Sequence, residues 1–365
     1  MILVGTFQVS GVMPIWAWDL IWAVVVLVVM YLGVQLSTRL QLSLALVSAG
    51  VVLTFLIYVI TQVPTNSLKA FNPSEVADGW AGIMFGVLYG VLIFVGFETA
   101  ANLAEETAHP KRSIPRAVLL SLGIVTAFYV IASYAQIAGF NFDVKTITNP
   151  EVAAAPLFAL GSPKSAGGYG SDAILKLLEI VVLLDIMAVG LGAATASTRG
   201  VFALARDRRI PAVLATVSRG RGTPVGAILF VQAFAVLMVA FSQLWTSLFA
   251  LPDQNHFFAM FAWLSTFGGF ALMVVYGFLA LGAFRGLADH PNKAGVVIAG
   301  VIGIAISVGA IFGGIYKQPA PFDLVWVTVA AWFVLGVLVT LVVGGRAPAR
   351  GVLSDLRSEE TVSGG

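Results

Sequence analysis

The chain has 365 residues, 59% hydrophobic and 10% charged, with a formal net charge of +2 and no cysteine. A soluble globular domain carries about 25% charged residues, so this composition excludes one and points to lipid as the solvent. The missing cysteine excludes disulfide frameworks and thiolate-held metals. His109, His256 and His290 lie far apart in the chain, which argues against a histidine-based metal or nucleophile site.

The opening MILVGTFQVSGVMP is too short to span a membrane and lacks the basic start of a signal peptide. Residues 1–13 are expected to be the remnant of a preceding helix. Nine stretches then carry the roughly 20 apolar residues that a membrane helix needs. They are 14–34, 42–61, 82–103, 116–138, 172–199, 224–249, 258–284, 296–316 and 323–343. Backbone groups in lipid must be satisfied internally, so each span is predicted to be a helix in one polytopic domain, 14–344. Loops 62–81 and 139–171 are long. The second contains TNPEVAAAPLFALG, where Asn149 is placed to cap and Pro150 to start a short helix through Leu160. Such a helix is either a lid or a surface element. STRGVFALARDRRIP carries the fifth span beyond the lipid until Pro211 stops it. The polar stretch 345–365 is expected to be a disordered tail.

Basic residues set the orientation. Fifteen of the 20 lysines and arginines fall in the odd-numbered loops and the C-terminal tail, six of them between Arg199 and Arg221. The other five, Lys69, Lys145, Lys164, Lys176 and Lys317, fall in or beside the even-numbered loops. The odd loops and the C-terminus are therefore expected to face the cytoplasm.

The third span runs into FVGFETAANLAEETAHPKRSIPRAV, residues 94–118. Glycine costs about 1 kcal/mol in a helix interior relative to alanine. A carboxylate at membrane depth costs about 2.5–3.5 kcal/mol on insertion scales. Gly96 and Glu98 together fit a helix that breaks here, with freed N–H groups suited to a carboxylate ligand and freed C=O groups to an ammonium. The competing reading makes Gly96 a packing notch and pairs Glu98 with a neighbouring helix. Asp185, near the middle of the fifth span, is a second intramembrane carboxylate. Glu98 and Asp185 are candidates to carry a coupling proton, and a simple hydrogen-bonding role stands beside that for each. Thr195, Ser197 and Thr198 suit helix packing or binding. Glu105 and Glu106 end a helix where negative charge opposes the dipole. Lys111, Arg112 and the basic segment 199–209 are their expected partners in a cytoplasmic latch, with a solvated acidic helix end as the alternative.

FVGFETAANLAEETAHPKRSIPRA resembles the sixth helix and following loop of the amino acid–polyamine–organocation permeases. Their pattern there is an aromatic, Gly-Phe-Glu or Gly-Phe-Asp, Ala-Glu-Glu, Pro-Lys-Arg and Ile-Pro-Arg. ATASTRGVFALARDRRIPAVLATVSRGRGTPVGAI is similar to the end of the family's eighth helix and the loop into the ninth. YLGVQLSTRLQ is similar to the turn between the fourth and fifth. The resemblance implies an all-α, leucine-transporter-like inverted-repeat fold, with this chain supplying family helices four to twelve. It implies that Phe94, Val95, Gly96, Phe97 and Glu98 form the substrate-binding break, with Phe94 or Phe97 covering the ligand. Some members carry a lysine in the fifth helix in place of sodium; this chain has Ser48 there.

The function so implied is secondary active transport of amino acids or related amines across the plasma membrane by alternating access. Membrane lipid and coupling protons are the other partners, and no cofactor, metal or nucleic acid is called for. The family's first three helices find no counterpart here. The chain is therefore expected to be incomplete as it stands and not to transport alone. An intramembrane enzyme and a non-transporting membrane subunit are the rival readings. The first lacks convergent acid and base groups, and the second would suit a chain with half a site.

Overall fold

A computed structural model describes residues 15–32, 35–76, 79–96, 109–149, 152–153, 155–250, 256–287, 292–316, 318 and 320–344. Nine long helices make up most of the described residues: α1 Ile15–Leu32, α2 Gln35–Gln62, α3 Trp80–Ile93, α4 Pro110–Gly139, α7 Asp172–Arg206, α8 Val225–Leu244, α9 His256–Gly286, α10 Lys293–Ile315 and α11 Val325–Gly344. Two short helices, α5 Val144–Ile147 and α6 Pro156–Gly161, lie between α4 and α7. Among the described residues, six helices are long and apolar enough to cross a membrane, while α1 and α3 are shorter apolar helices. Leu120, Leu237, Phe278 and Leu341 are exposed, as lipid-facing side chains should be.

Three packed units hold the bundle together. In the first, α3 lies against α9 and α10, and Leu88, Phe270, Met273 and Ala310 are buried where they meet. The approach of α3 to α10 rests on missing side chains. A Cβ on Gly313 would stand 2.5 Å from the backbone nitrogen of Phe85, and one on Gly309 would meet the Met84 sulfur. Gly309 and Gly313 form the small-xxx-small spacing that brings membrane helices together. Tyr89 and Thr266 add a hydroxyl–hydroxyl hydrogen bond of 2.7 Å between α3 and α9.

The second unit joins α2, α4, α6 and α7 around Val59, Ala138, Leu160 and Leu178. Here the sequence expectation of one helix from 150 to 160 needs correction. Helical bonding begins with the Ala153 N–H on the Asn149 carbonyl, but Ala155 is not helical (φ −154°) and α6 starts afresh at Pro156. Proline disfavours helical backbone at the residue before it and offers no N–H to continue the ladder. Neither a lid nor a surface helix describes α6. Leu160 is 1% exposed and wedged between α2 and α7, and a Cβ on Gly139 would collide with it. In the third unit, Val26 and Met30 of α1 pack on Ile228 of α8 beside Leu191 of α7.

The two ends of the bundle differ. At one end, the Arg221 guanidinium lies 4.9 Å above the Tyr31 ring, tying the loop before α8 to the end of α1. At the other, Tyr134 donates to Asn66 and stacks on Phe71, and the Tyr169 hydroxyl donates to the Gly139 carbonyl. The loops holding Lys69, Lys145 and Lys164 therefore gather at the end away from the arginines. Residues 1–13 and 345–365, expected as a helix remnant and a tail, lie outside the described residues.

Candidate functional site

The third predicted span was expected to run to Leu103. Its helix, α3, ends at Ile93, and the reason is local. The Phe94 N–H turns back to the Val91 carbonyl and the Val95 N–H to the Leu92 carbonyl, a tightened last turn. Gly96 then takes φ +120°, a backbone conformation that L-residues rarely adopt and that no α-helix contains. The last carbonyls of a helix have no intrahelical partner. One of them, Ile93 C=O, accepts a hydrogen bond of 3.0 Å from the Tyr129 hydroxyl of α4. The ring of Phe94 meets that of Tyr129 edge-on, with centroids 5.6 Å apart. Phe94 is half-buried and Val95 exposed.

Asp185 is half-buried on α7, and its charge reaches Tyr129. The structure thus brings the end of α3, Tyr129 and Asp185 into one neighbourhood. Phe97, Glu98, Glu105 and Glu106 lie outside the described residues, as does the side chain of Lys111. Arg112 is exposed at the start of α4. In the basic segment, Arg206 and Asp207 form an exposed ion pair at 3.7 Å. Thr195 bonds back to the Leu191 carbonyl and Thr198 is buried, so both serve the packing of α7, whereas Ser197 lines a cavity against α1 and α8. Ser48 is buried on α2.

Two residues escaped the sequence reading. Tyr129 gave no signal, because an isolated tyrosine in an apolar helix is ordinary and its partner lies 36 positions away. Asp19 did give one: it is a carboxylate inside the first predicted span, and such residues are functional candidates by default. Its Oδ2 is buried and has no hydrogen-bond partner among the described residues. Among the described residues no group of three or more histidines and carboxylates could hold a metal ion.

The family model for amino acid permeases matches residues 1–345. The chain is 25% identical to the branched-chain amino acid permease BcaP of Bacillus subtilis over 57% of its length, covering 42% of that protein. It is 22% identical to the probable amino-acid permease meu22 of Schizosaccharomyces pombe over 90% of its length, covering 60% of that protein. It is 27% identical to the large neutral amino acids transporter small subunit 2 of Homo sapiens over 53% of its length, covering 34% of that protein. The chain thus spans between about a third and three fifths of the length of these relatives. A match over nearly the whole chain, on a bundle whose third long helix breaks at the glycine of GFE, places this multi-pass membrane protein in the amino acid permease family.

Proposed function

We propose that this protein is a secondary active transporter that carries amino acids or related amines across the plasma membrane, with its C-terminus in the cytoplasm. The observation that carries the reading is the end of α3 at Ile93, with Gly96 at φ +120°. A helix that stops within the bundle can turn a carbonyl lone pair, beyond those taken by Phe94, Val95 and Tyr129, toward an ammonium group, and the family membership says what kind of molecule brings one. Phe94, Val95 and Gly96 then contact the substrate, together with Phe97 and Glu98 beyond them. Asp185, a half-buried carboxylate on α7, takes up a coupling proton. Glu105 and Glu106 close a cytoplasmic latch with Lys111 and Arg112. Transport rather than catalysis fits the permease and transporter names of the relatives. Two of those names specify branched-chain and large neutral amino acids, so these head the substrate panel.

The test is genetic, so that the protein acts as it exists in its own membrane. The chromosomal gene is deleted, and uptake of labelled amino acids and amines by intact cells is compared before and after. A saturable component should be lost for at least one amino acid and return with a plasmid copy. Unchanged uptake across the whole panel, in cells whose parent makes the protein, would refute the proposal.

A further inference from the structure

A cavity of about 570 Å³ lies between α1, α7 and α8, reaching the first turns of α9 at Met260. None of the described residues at the break in α3, Phe94 to Gly96, lines it. Its walls are apolar, with four polar exceptions: Asp19, Ser197, Gln232 and Gln243. Among the described residues no lysine, arginine or histidine lines it. Asp19 and Trp22 stand three residues apart on α1 and so share a face of the helix. The Asp19 side chain is half-buried, yet its Oδ2 is shut off from solvent and no hydrogen bond from the described residues reaches it. The Gln232 amide contacts the Met30 sulfur at 3.9 Å. α1 and α8 run antiparallel here. Met30 packs near Ile228, while Asp19 shares the cavity with Ala240 and Gln243, at the end away from the arginine-rich loop.

A buried carboxylate oxygen without a donor is costly, and the cost falls when a cation or a donor arrives. An indole face attracts the same kind of partner. We infer that this cavity is a second binding site, separate from the break in α3, for a monovalent ammonium attached to an apolar body. The ammonium meets Asp19 and the Trp22 ring, and the body lies along the alanine- and valine-lined wall of α7 and α8. A free amino acid fits less well, because its carboxylate would find no positive partner among the lining residues.

The probe is 1-adamantylamine, with 1-adamantanol as its neutral counterpart and L-leucine as the zwitterion. Purified full chain in lipid nanodiscs is titrated with each at neutral pH, without a gradient, and binding is read by ligand-observed NMR. Because no transport is measured, failure here leaves the transport proposal untouched, and the reverse also holds. The amine should bind saturably, with the alcohol and leucine at least ten-fold weaker. Asp19→Asn should weaken the amine by ten-fold or more, and Asp19→Glu should restore most of it. Ala240→Phe, which fills the cavity from an exposed position beside Asp19, should abolish binding and serves as the test if Asp19→Asn fails to fold. Saturable amine binding that survives either Asp19→Asn or Ala240→Phe unchanged would overturn the assignment. So would equal binding of amine and alcohol, or no saturable binding at all.

Discussion

At Gly96 the backbone, not the space around it, sets the constraint. No atom of the described residues lies within 4 Å of a Cβ built there, but φ +120° would be strained for any L-residue. Holding such a conformation costs about 1–3 kcal/mol. Gly96→Ala and Gly96→Leu are therefore both expected to cut uptake more than ten-fold in the gene-deletion strain, with unchanged protein in the membrane. Wild-type uptake by Gly96→Ala would show that the glycine is a packing notch after all. Asp185 gives a second test. If it carries the coupling proton, uptake by the parent rises as the outside is acidified, and Asp185→Asn makes uptake independent of external pH. A variant with the parent's pH profile would return Asp185 to a purely structural role. These two positions could be read from the sequence because glycine and aspartate are anomalous in an apolar span. Tyr129 could not, since the donor it offers to Ile93 exists only once α3 and α4 are packed together.

For whole elements, hydropathy and length located the nine long helices of the described residues, because lipid allows an apolar segment only one hydrogen-bonded form. What it missed were the places where tertiary contacts decide. The wedge at Leu160 depends on a gap between α2 and α7 that no local pattern encodes. The glycines of α10 belong to the same class: the spacing is visible in the sequence, but the partner is not. Since a Cβ at Gly313 meets the backbone of α3 rather than a yielding side chain tip, the helices would have to separate. Gly313→Leu should destabilise the purified protein by roughly 1–3 kcal/mol, the usual range for overpacking. Gly200→Leu on α7 adds the same side chain where nothing lies within 4 Å. A thermal melt in detergent should show a clear drop for the first and little change for the second. Equal melting temperatures would mean that α3 and α10 do not approach each other this closely.

The whole molecule poses the question of which end faces the cytoplasm. The count of basic residues answers it statistically, and the fold gives the count a geometry. Arg221 reaches back over Tyr31, so the arginine-rich loop before α8 and the end of α1 occupy one end. The loops around Lys69, Lys145 and Lys164 are bound together at the other, through Tyr134, Asn66, Phe71 and Tyr169. The lysine-bearing end carries its own local hydrogen bonding. Asp143 caps α5, accepting from the Lys145 N–H and the Thr146 hydroxyl. These hydrogen bonds, that of Thr146 foremost, hold its carboxyl below the usual aspartate range. The cap therefore adds stability above the ordinary aspartate pKa and is lost as pH falls through the lowered one. Cysteine labelling decides between the two orientations, and a chain without native cysteine suits it. Ser218 lies in the arginine-rich loop and Ala166 in the opposite one, both outside the long helices. In intact cells an impermeant maleimide should label Ala166→Cys and leave Ser218→Cys unmodified until the membrane is opened. The opposite pattern would invert the bundle, place the arginine-rich end outside, and move the Asp19 cavity to the cytoplasmic half of the membrane.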